Sequence, residues 1–449
     1  MKFLQRVRSS VRAGSPYATE DPDDPRKYLK NFLLHFRPTA VPERSLKFTL
    51  TWFLGVASTV LLMLLVASGL LLKFVYEPTP ASAYDSIVYL GSEVPFGQLL
   101  RNLHRWSGYA LLTTTFLHFL RVFYTSAFHA PRQFNWVIGL GLLFLVVLSN
   151  FTGYLLPWDQ ISYWAITIST SLLDYVPWAG STVKGWILGG SEPGAATLMN
   201  FYAIHTAIIP ILLLFALPFH FWCIRKANGI VVSRAPGEEL PSPLPMVNTV
   251  PHLLSREAAA ALVVLAVILV ISMLFNAPLA EQANPGLSPN PTKAPWFFMG
   301  IQEILMHFHP LFAALVIPAI LVLGLLYIPY IQYDQATPGV WFCSQKGRRT
   351  ALLAAVTAVV VTVCAVLLND LVISANTHTP PTVIRNGLLP FLLAAAFAGG
   401  FYAWLRKSLG ANKNEAVQAL FTLLMVSFLT LTLIGTWFRG PGMQLAWAG

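Results

Sequence analysis

The chain has 449 residues, of which 55% are hydrophobic and only 11% are charged, and its mean hydropathy is +0.61. A soluble globular domain carries about 25% charged residues, so the composition excludes an ordinary soluble protein and indicates an integral membrane protein. The net charge of +10 comes from Lys and Arg in short segments beside apolar stretches, which argues against nucleic-acid binding.

Nine apolar stretches are long enough, at about 20 residues, to cross a membrane as helices. The polar segment 1–48 before them has no secretory apolar core, and we predict a cytoplasmic N-terminal extension. The fold class is predicted to be an all-α integral membrane protein with about nine transmembrane helices. The predicted spans lie at 49–73, 104–126, 134–156, 199–224, 257–276, 311–331, 351–369, 388–405 and 416–437.

The distribution of basic residues orients these spans. With a cytoplasmic N-terminus, most of the 29 Lys and Arg residues fall on the cytoplasmic side. The odd number of spans puts the C-terminus on the outer side, together with the loops at 157–198 and 277–310. We predict a protein of the inner, cytoplasmic membrane of a prokaryote, with a cytoplasmic N-terminus.

Two of the predicted spans carry paired histidines. His104 and His118 are 14 residues apart on the second span, and His205 and His220 are 15 apart on the fourth. Both spacings are close to four helical turns, with two prolines free to adjust the phase of the fourth span. Because the two spans run in the same direction, His104 faces His205 near the outer side. His118 then faces His220 near the inner side, and each pair suits bis-imidazole ligation of a haem iron.

The alternative for a lone membrane histidine is an interhelical hydrogen bond, but four in matched pairs favour haem ligation. Glycines repeat the spacing on the neighbouring spans, since Gly55 and Gly69 are 14 residues apart, as are Gly139 and Gly153. A glycine lets a flat macrocycle or another helix approach the backbone closely. Alone the glycines indicate helix packing; with the histidines they indicate two haem pockets.

Arg101 and Arg105 lie beside His104 at the outer end of the second span. They are candidates to pair with haem propionates, or to anchor the helix at the interface. The three cysteines are scattered without a CxxC motif, which argues against disulfides, covalent c-type haem and an iron–sulfur cluster in this chain.

The segments LHRWSGYALLTTTFLHFLRVFYT, GYLLPWDQISYWA and FYAIHTAIIPILLLFALPFHFWCIRK carry a specific resemblance. They are similar to the cytochrome b/b6 subunit of quinol–cytochrome c oxidoreductases, the bc complexes, over about residues 45–335. The resemblance implies that 49–235 is a four-helix dihaem bundle of the b6 type and that 236–410 is similar to subunit IV. The range 411–449 is then an additional transmembrane helix and tail.

In that family the four histidines bind two non-covalent b haems, quinol is oxidised at the outer side, and quinone is reduced at the inner side. The resemblance implies the same here, with proton translocation.

Two departures from the family pattern matter. Phe53 stands where the b6 branch has the cysteine that attaches a third haem, so that haem is predicted to be absent. Pro295 stands where the outer-site motif Pro-Glu-Trp-Tyr has its glutamate, which favours menaquinone as the substrate.

Glu303, which follows Trp296 by seven residues, is predicted to replace the missing glutamate as proton acceptor. His307 and His309 are alternative proton acceptors. The alternative without a catalytic role is that the Glu303 carboxylate caps the start of an interfacial helix. Arg225 and Lys226, just past His220, are candidate inner-site partners or positive-inside anchors. The candidate walls of the outer quinol site are Tyr154, Pro157, Trp164, Ala165 and Trp296.

The chemistry requires partners. Quinol gives up two electrons, and this chain lacks the cysteines for a high-potential iron–sulfur acceptor. A separate Rieske iron–sulfur protein is therefore implied, with a c-type cytochrome as further acceptor, and the family leads us to expect a homodimer of the complex.

Two alternative functions remain. A dihaem quinone-reactive anchor of a dehydrogenase explains the first four spans but not the Trp296 loop. A proton-coupled transporter predicts internal repeats, which the sequence does not display.

Overall fold

The computed structural model describes residues 2–12, 40–227, 229–234, 237–241, 243–335, 337–373 and 382–446. Most of the predicted cytoplasmic extension therefore lies outside the described residues. We name the two ends of the helical bundle outer and inner, following the predicted orientation.

Long helices dominate the described part of the chain, as the apolar stretches predict. In chain order they are α1 (Leu54–Leu72), α2 (Gly97–Tyr124), α3 (Gln133–Leu155), α4 (Ala195–Lys226), α5 (Thr249–Leu274), the short α6 (Met299–His307), α7 (Phe312–Tyr330), α8 (Gln345–Ile373), α9 (Val383–Lys407) and α10 (Lys413–Trp437). Shorter helices lie at Lys2–Arg12, Phe48–Thr51, Ala83–Ser92, Gln160–Ser171 and Gly180–Leu188.

Eight of these helices are long and apolar enough to cross a membrane, namely all of the labelled ones except α2 and α6. Helix α2 has 28 residues and is long enough, but its three arginines and two histidines make it more polar. With α2, the described part of the chain contains the nine long helices that the sequence predicts. The all-α membrane fold is confirmed.

The only strands among the described residues are β1 (Ala40–Pro42) and β2 (Met246–Asn248), which pair antiparallel. They join the segment before α1 to the segment before α5. The first helix of the predicted subunit IV-like part is thereby held at the inner end of the N-terminal bundle.

Helices α1 to α4 form a bundle in which α2 packs against α1 and α3, and α3 packs against α4. Leu61, Leu111, Leu142 and Ile209, one from each helix, are buried in its centre. Helix α5 packs against α1 and α2, and its Ile268 joins the same core. The fifth helix is thus continuous with the bundle, although the sequence predicts a domain boundary before it.

Helix α4 contains one wide turn, because Ile204–Ile208 is π-helical. A π turn takes up one extra residue compared with an α-helical turn. The 15-residue spacing of His205 and His220 therefore acts like a 14-residue spacing in a regular helix. The sequence left the phase adjustment to two prolines; Pro210 is the second residue of the regular helix after the wide turn, and Pro218 lies within that helix.

The additional helix predicted at the C-terminus is tightly integrated. Helix α10 packs along α8 through small buried residues, and it also packs along α6. Its start is fixed by a capping box in which Asn412 and Glu415 exchange side-chain-to-backbone hydrogen bonds. The small residues at the α8–α10 contact are Ala354, Ala358, Ala416 and Ala419, which let the two helices approach closely.

Candidate functional site

The outer histidine pair lies between α2 and α4. The ring centroids of His104 and His205 are 6.2 Å apart, and the rings are inclined at 79°. Metal–imidazole bonds are about 2.0 Å long, as zinc sites illustrate, so two rings at this separation can share one metal ion. The structure brings these two predicted ligands together.

Two hydroxyl groups hold the outer imidazole rings. His104 Nδ1 lies 2.9 Å from Ser68 Oγ, and His205 Nδ1 lies 3.1 Å from Thr152 Oγ1. Both hydroxyls already donate their hydrogen to a backbone carbonyl one turn earlier on their own helices. The hydroxyl oxygens therefore accept from the rings, which puts the ring hydrogen on Nδ1 and leaves the lone pair of Nε2 free. This is the tautomer that a metal-ligating histidine with a hydrogen-bonded Nδ1 adopts.

The inner pair is held differently. His118 lies near His220 and near Arg121, which follows it by one turn of α2. Nδ1 of each ring is buried without a side-chain partner among the described residues, although the Asn135 backbone lies within hydrogen-bonding reach of the His220 ring. The inner rings thus lack the hydroxyl partners of the outer rings.

Each of the four predicted pocket glycines lies beside one histidine ring. A Cβ at Gly153 would lie 2.5 Å from Cε1 of His205, which is a clash, and one at Gly69 would lie 3.1 Å from Cε1 of His104. At the inner pair both distances are 3.5 Å, an ordinary contact. The glycine spacing matches the histidine spacing because each glycine makes room for one imidazole. The pairs are Gly69 with His104, Gly153 with His205, Gly55 with His118 and Gly139 with His220.

The predicted arginines lie at the two ends of the bundle. The guanidinium of Arg101 donates to the carbonyl oxygens of Ala277 and Pro278, at 2.8 and 2.7 Å. Of its two predicted roles, this contact favours the anchor. Arg225 and Lys226 end α4 at the inner side, and Lys226 Nζ lies 4.5 Å from the centre of a neighbouring indole ring, as an interfacial anchor does.

Arg105 belongs to a group that we call the outer aromatic site, formed with Tyr109, Tyr154 and Trp296. Its guanidinium lies over the Tyr109 ring at 4.7 Å and the Tyr154 ring at 5.0 Å, and it donates to the Tyr109 hydroxyl at 2.6 Å. Trp296 meets Tyr109 edge-on at 5.8 Å and is 42% exposed. Arg105 Nε is buried without a partner among the described residues, so it remains available as a donor.

Sequence reasoning missed Tyr109. Its position one helical turn after Arg105 was the available signal, since such residues share a helix face. The structure unites it with the two predicted residues, Tyr154 and Trp296.

The two outer loops that the sequence predicts to enclose a quinol are joined by Asp159. Its Oδ1 accepts from the Ser162 backbone N at 2.9 Å and caps the helix Gln160–Ser171. Its Oδ2 accepts from the Ala280 backbone N at 3.0 Å, across the gap between the loops. Gln160 N also donates to Glu281 O at 2.8 Å. The PWDQ segment is thus a structural link between the loops.

The other predicted wall residues follow Tyr154 in the chain. Pro157 precedes the Asp159 cap, and Trp164 and Ala165 lie on the helix that Asp159 caps. Trp164 packs edge-on against Tyr163 at 5.9 Å, and its indole N–H is buried without a partner among the described residues.

Glu303 belongs to a second group, which we call the acidic cluster, formed with His307, Asp370 and Arg439. Glu303 is 0% exposed and lies in the middle of α6, so it does not cap the helix start. Arg439 Nε lies 3.0 and 3.2 Å from its two carboxylate oxygens, and Nη2 donates to Oε1 as well. Burial raises the pKa of Glu303, but the hydrogen bonds from His307 and Arg439 outweigh it and hold that pKa below the ordinary value.

Sequence reasoning missed Arg439 and Asp370. Each is a charged residue at the outer end of an apolar span, and that was the signal. His309 lies outside the cluster, since its ring packs edge-on against Tyr175 at 5.6 Å. The structure therefore joins one of the two alternative histidines, His307, to Glu303.

Comparison with known proteins agrees with this geometry. The family model described as cytochrome b/b6/petB matches residues 42–228. The cytochrome b6 of Gracilaria tenuistipitata var. liui is 42% identical over 161 residues, covering 36% of this chain and 75% of that protein. The cytochrome b6 of Acaryochloris marina is 38% identical over 173 residues, covering 38% and 80%. The chain is therefore a cytochrome of the b type.

More particularly, it belongs to the cytochrome b/b6 family, with a further C-terminal part beyond the matched residues. Membership implies b-type haem as cofactor. A solved structure titled "Hyperthermophilic respiratory Complex III" has the same fold, with a TM-score of 0.63 at 22% identity, covering 91% of this chain and 98% of the other.

Proposed function

We propose that this chain is the dihaem cytochrome b subunit of a bc complex. Quinol is oxidised at the outer side of the membrane and quinone is reduced at the inner side, and the two histidine pairs would hold the b haems that supply electron transfer between the two sites. Family membership supports the haem and the electron transfer, and the fold shared with a Complex III chain supports the assembly. Proton translocation follows, because quinol releases protons at one side and quinone takes them up at the other.

The hydrogen bonding of the outer histidines carries this proposal. Ser68 and Thr152 fix the tautomer that leaves each Nε2 free, and the two rings are at a separation that one metal ion can bridge. Two glycines keep the space beside these rings clear of side chains. A pair of ordinary interhelical histidines requires none of these features.

The residues fit two haems. His104 and His205 would hold the outer haem, and His118 and His220 the inner one, separated by roughly 21 Å along the helix axis for 14 residues. When bound, a bis-imidazole haem supplies one-electron transfer and leaves no open position on the iron. Moving one charge across the whole membrane works against about 2.3 kcal/mol per 100 mV.

The outer aromatic site is the proposed binding site for the quinol ring. Trp296 and Tyr154 provide ring faces, and Arg105 and Tyr109 provide polar atoms for a quinol oxygen. Asp159 holds the enclosing loops together. Glu303 remains the carboxylate that we propose for the quinol chemistry at the outer side. Its ion pair with Arg439 stabilises the ionised form, so Glu303 readily accepts hydrogen bonds but is a poor acceptor of a proton.

The proposed partners follow from the chemistry. A Rieske iron–sulfur protein takes the first electron, a c-type cytochrome follows it, and the complex is a homodimer in the inner membrane of a prokaryote. Menaquinone is the favoured quinone, and Arg225 and Lys226 are the inner-site candidates. The linked outer loops favour this assembly over a dihaem dehydrogenase anchor, since an anchor without an outer quinol site has no use for them.

A redox titration of the purified complex tests the proposal. Wild type should give a b-type reduced-minus-oxidised spectrum with two titrating components, and His118→Ala should lose one of them. The matched control is His252→Ala, an exposed histidine outside both pairs, which should keep both components. A wild-type protein without b-type absorbance would end the proposal and favour a transporter.

A further inference from the structure

We infer that helix α10 and the tail after it, residues 438–446, position the Trp296 ring in the outer aromatic site and thereby set how tightly this site binds quinol. Both elements lie beyond the residues that the family model matches. The inference rests on the proposed function, because it names the part of the chain that shapes the proposed quinol site.

The segment around Trp296 is closed by one side chain. Trp296 begins a single 3₁₀ turn, and α6 follows that turn without a break. Gln302 Oε1 accepts from the Ala294 backbone N at 2.7 Å, and Gln302 Nε2 donates to the Thr292 carbonyl at 2.7 Å. Residues 292–302 therefore form one hydrogen-bonded unit, so a contact that fixes α6 also fixes Trp296.

The N-terminal bundle contacts one side of this unit. Phe297 meets Tyr109 of α2 edge-on at 6.3 Å, and Phe298 meets Phe151 of α3 edge-on at 5.4 Å. These contacts extend the one between Trp296 and Tyr109 in the outer aromatic site. The bundle thus supplies one wall against which the turn is held.

Helix α10 contacts the same turn and packs closely along α6. Gly435 of α10 faces Met299 of α6, since a Cβ on Gly435 would lie 2.6 Å from Met299 Cγ. Gly300 of α6 faces Phe428 of α10 in the same way, with a Cβ 2.6 Å from Cε2. A glycine lets the backbone of one helix approach the side chains of another. Because each helix places a glycine against the other, α10 fixes the first turn of α6.

Helix α10 and the tail also hold the loop that leads into the turn. Lys293 Nζ donates to the carbonyl of Thr436, near the end of α10, at 2.9 Å. Gly442 N, in the tail, donates to the Asn290 side chain at 2.6 Å. The chain is therefore tied to α10 and the tail on the side that precedes Trp296 as well as through α6.

The tail is joined to α6 by an ion pair. Arg439 is bound to the Glu303 carboxylate, and its side chain is only 2% exposed. A guanidinium that donates to a carboxylate through two nitrogens forms a strong, directed pair. Arg439 and Leu445 form an antiparallel bridge that folds the tail back on itself. The folded tail is thus held against α6 as well as against the outer loop.

These contacts matter for quinol because Trp296 offers a ring that is held in place before a ligand arrives. The ring is 42% exposed, so part of it is open to a ligand. Fixing a binding group in its bound position raises affinity, because less freedom is lost on binding. Trp296 supplies binding surface and no reacting atom. A shift of α6 should therefore weaken the binding of quinol more than it slows electron transfer.

The test measures KM and kcat of quinol oxidation in the intact complex, with a short-chain menaquinol as substrate. Gly435→Ala inserts a Cβ against Met299 and should push α6 away from α10. We expect KM to rise by about 10-fold, equivalent to about 1.4 kcal/mol, and kcat to change by less than about twofold. Both haem components should remain, because the two residues lie outside the histidine pairs.

A compensating substitution separates positioning from general damage. Met299→Ala removes the atoms that the new Cβ would meet, so Gly435→Ala combined with Met299→Ala should return KM to within about twofold of wild type. The matched control is Gly400→Ala on α9, where an added Cβ meets nothing within 4 Å. It should leave KM and kcat unchanged.

A milder pair of variants tests the loop contact and carries the test if Gly435→Ala fails to assemble. Lys293→Met removes the donor to Thr436 and should raise KM by about threefold, the effect of one lost hydrogen bond at a partly buried site. Lys293→Arg keeps a donor and should lie near wild type.

The inference is wrong if Gly435→Ala assembles with both haems and keeps the wild-type KM, or if its kcat falls as much as its KM rises. It is also wrong if Met299→Ala does not restore KM, or if the two Lys293 variants have the same KM. A wild-type complex that lacks b-type absorbance or quinol oxidation would instead overturn the proposed function itself.

Discussion

The outer and inner histidine pairs occupy equivalent positions, yet the protein holds them in different ways. On α1 and α3, the residue before each pocket glycine differs between the outer and inner pairs. At the outer pair these residues are Ser68 and Thr152, which bind both Nδ1 atoms. At the inner pair they are Leu54 and Ile138, and the Nδ1 atoms have no such partner.

The difference indicates that the outer histidine pair is oriented for a ligand before any ligand binds. The hydroxyls fix the orientation and tautomer of the outer rings without a ligand, and such supporting hydrogen bonds tune a metal site. The inner rings lack these hydroxyls, although the Asn135 backbone lies within hydrogen-bonding reach of the His220 ring, and we expect their orientation to be completed when the proposed haem binds. The outer site is also the tighter one, since its glycines lie closer to the rings.

The largest effect is expected when one pocket glycine is substituted at the outer pair and one at the inner pair. Gly153→Ala puts a Cβ 2.5 Å from the His205 ring, whereas Gly139→Ala puts one 3.5 Å from His220. Overpacking costs about 1–3 kcal/mol, so Gly153→Ala should lose about 10-fold or more in outer haem affinity. Gly139→Ala should keep its haem. The haem content per polypeptide and a redox titration measure both, and equal losses would remove the contrast.

The second test removes the hydroxyls. Ser68→Ala or Thr152→Val should weaken outer haem binding by about 10-fold, the lower end for a lost supporting hydrogen bond, and should raise the outer midpoint potential because the imidazole becomes a weaker donor. The inner component should be unchanged. Thr170→Val is the matched control, a buried threonine that bonds only to its own helix. A haem titration that finds no difference between Thr152→Val and Thr170→Val would contradict the assignment.

The smallest effect is expected at the inner pair. Arg121 interacts electrostatically with His118, and its Nε is buried without a partner among the described residues. Removing one nearby charge is worth roughly 1 kcal/mol, or about 40 mV at 2.3 kcal/mol per 100 mV. Arg121→Gln should therefore lower the inner midpoint potential by about that amount and spare the outer one. An unchanged inner potential would place Arg121 outside the field of the inner haem.

The sequence predicted the parts of this protein that depend on periodicity. The nine long helices, the histidine pairs and the matching glycines follow from apolar length and a spacing near four turns. The roles of Ser68 and Thr152 were not predicted, because a serine or threonine in an apolar helix more often bonds to its own backbone. Only the structure shows which histidine ring donates a hydrogen bond to the oxygen of each hydroxyl.

Glu303 illustrates the limit of local reasoning. The sequence singled it out as the replacement for the missing outer-site glutamate and predicted that it accepts a proton. Its partner Arg439 is 136 residues away, in the tail after α10, which has no predicted role. An ion pair between such distant residues leaves no local pattern, so the sequence alone could not foresee that Glu303 is already neutralised by a cation.

The π turn at Ile204–Ile208 gives α4 a tolerance that the other bundle helices lack. Deleting one residue there would convert the wide turn into ordinary α-helix and leave His205 and His220 facing the same neighbour. A chain of this architecture can therefore lose one residue between the two proposed ligands without losing either.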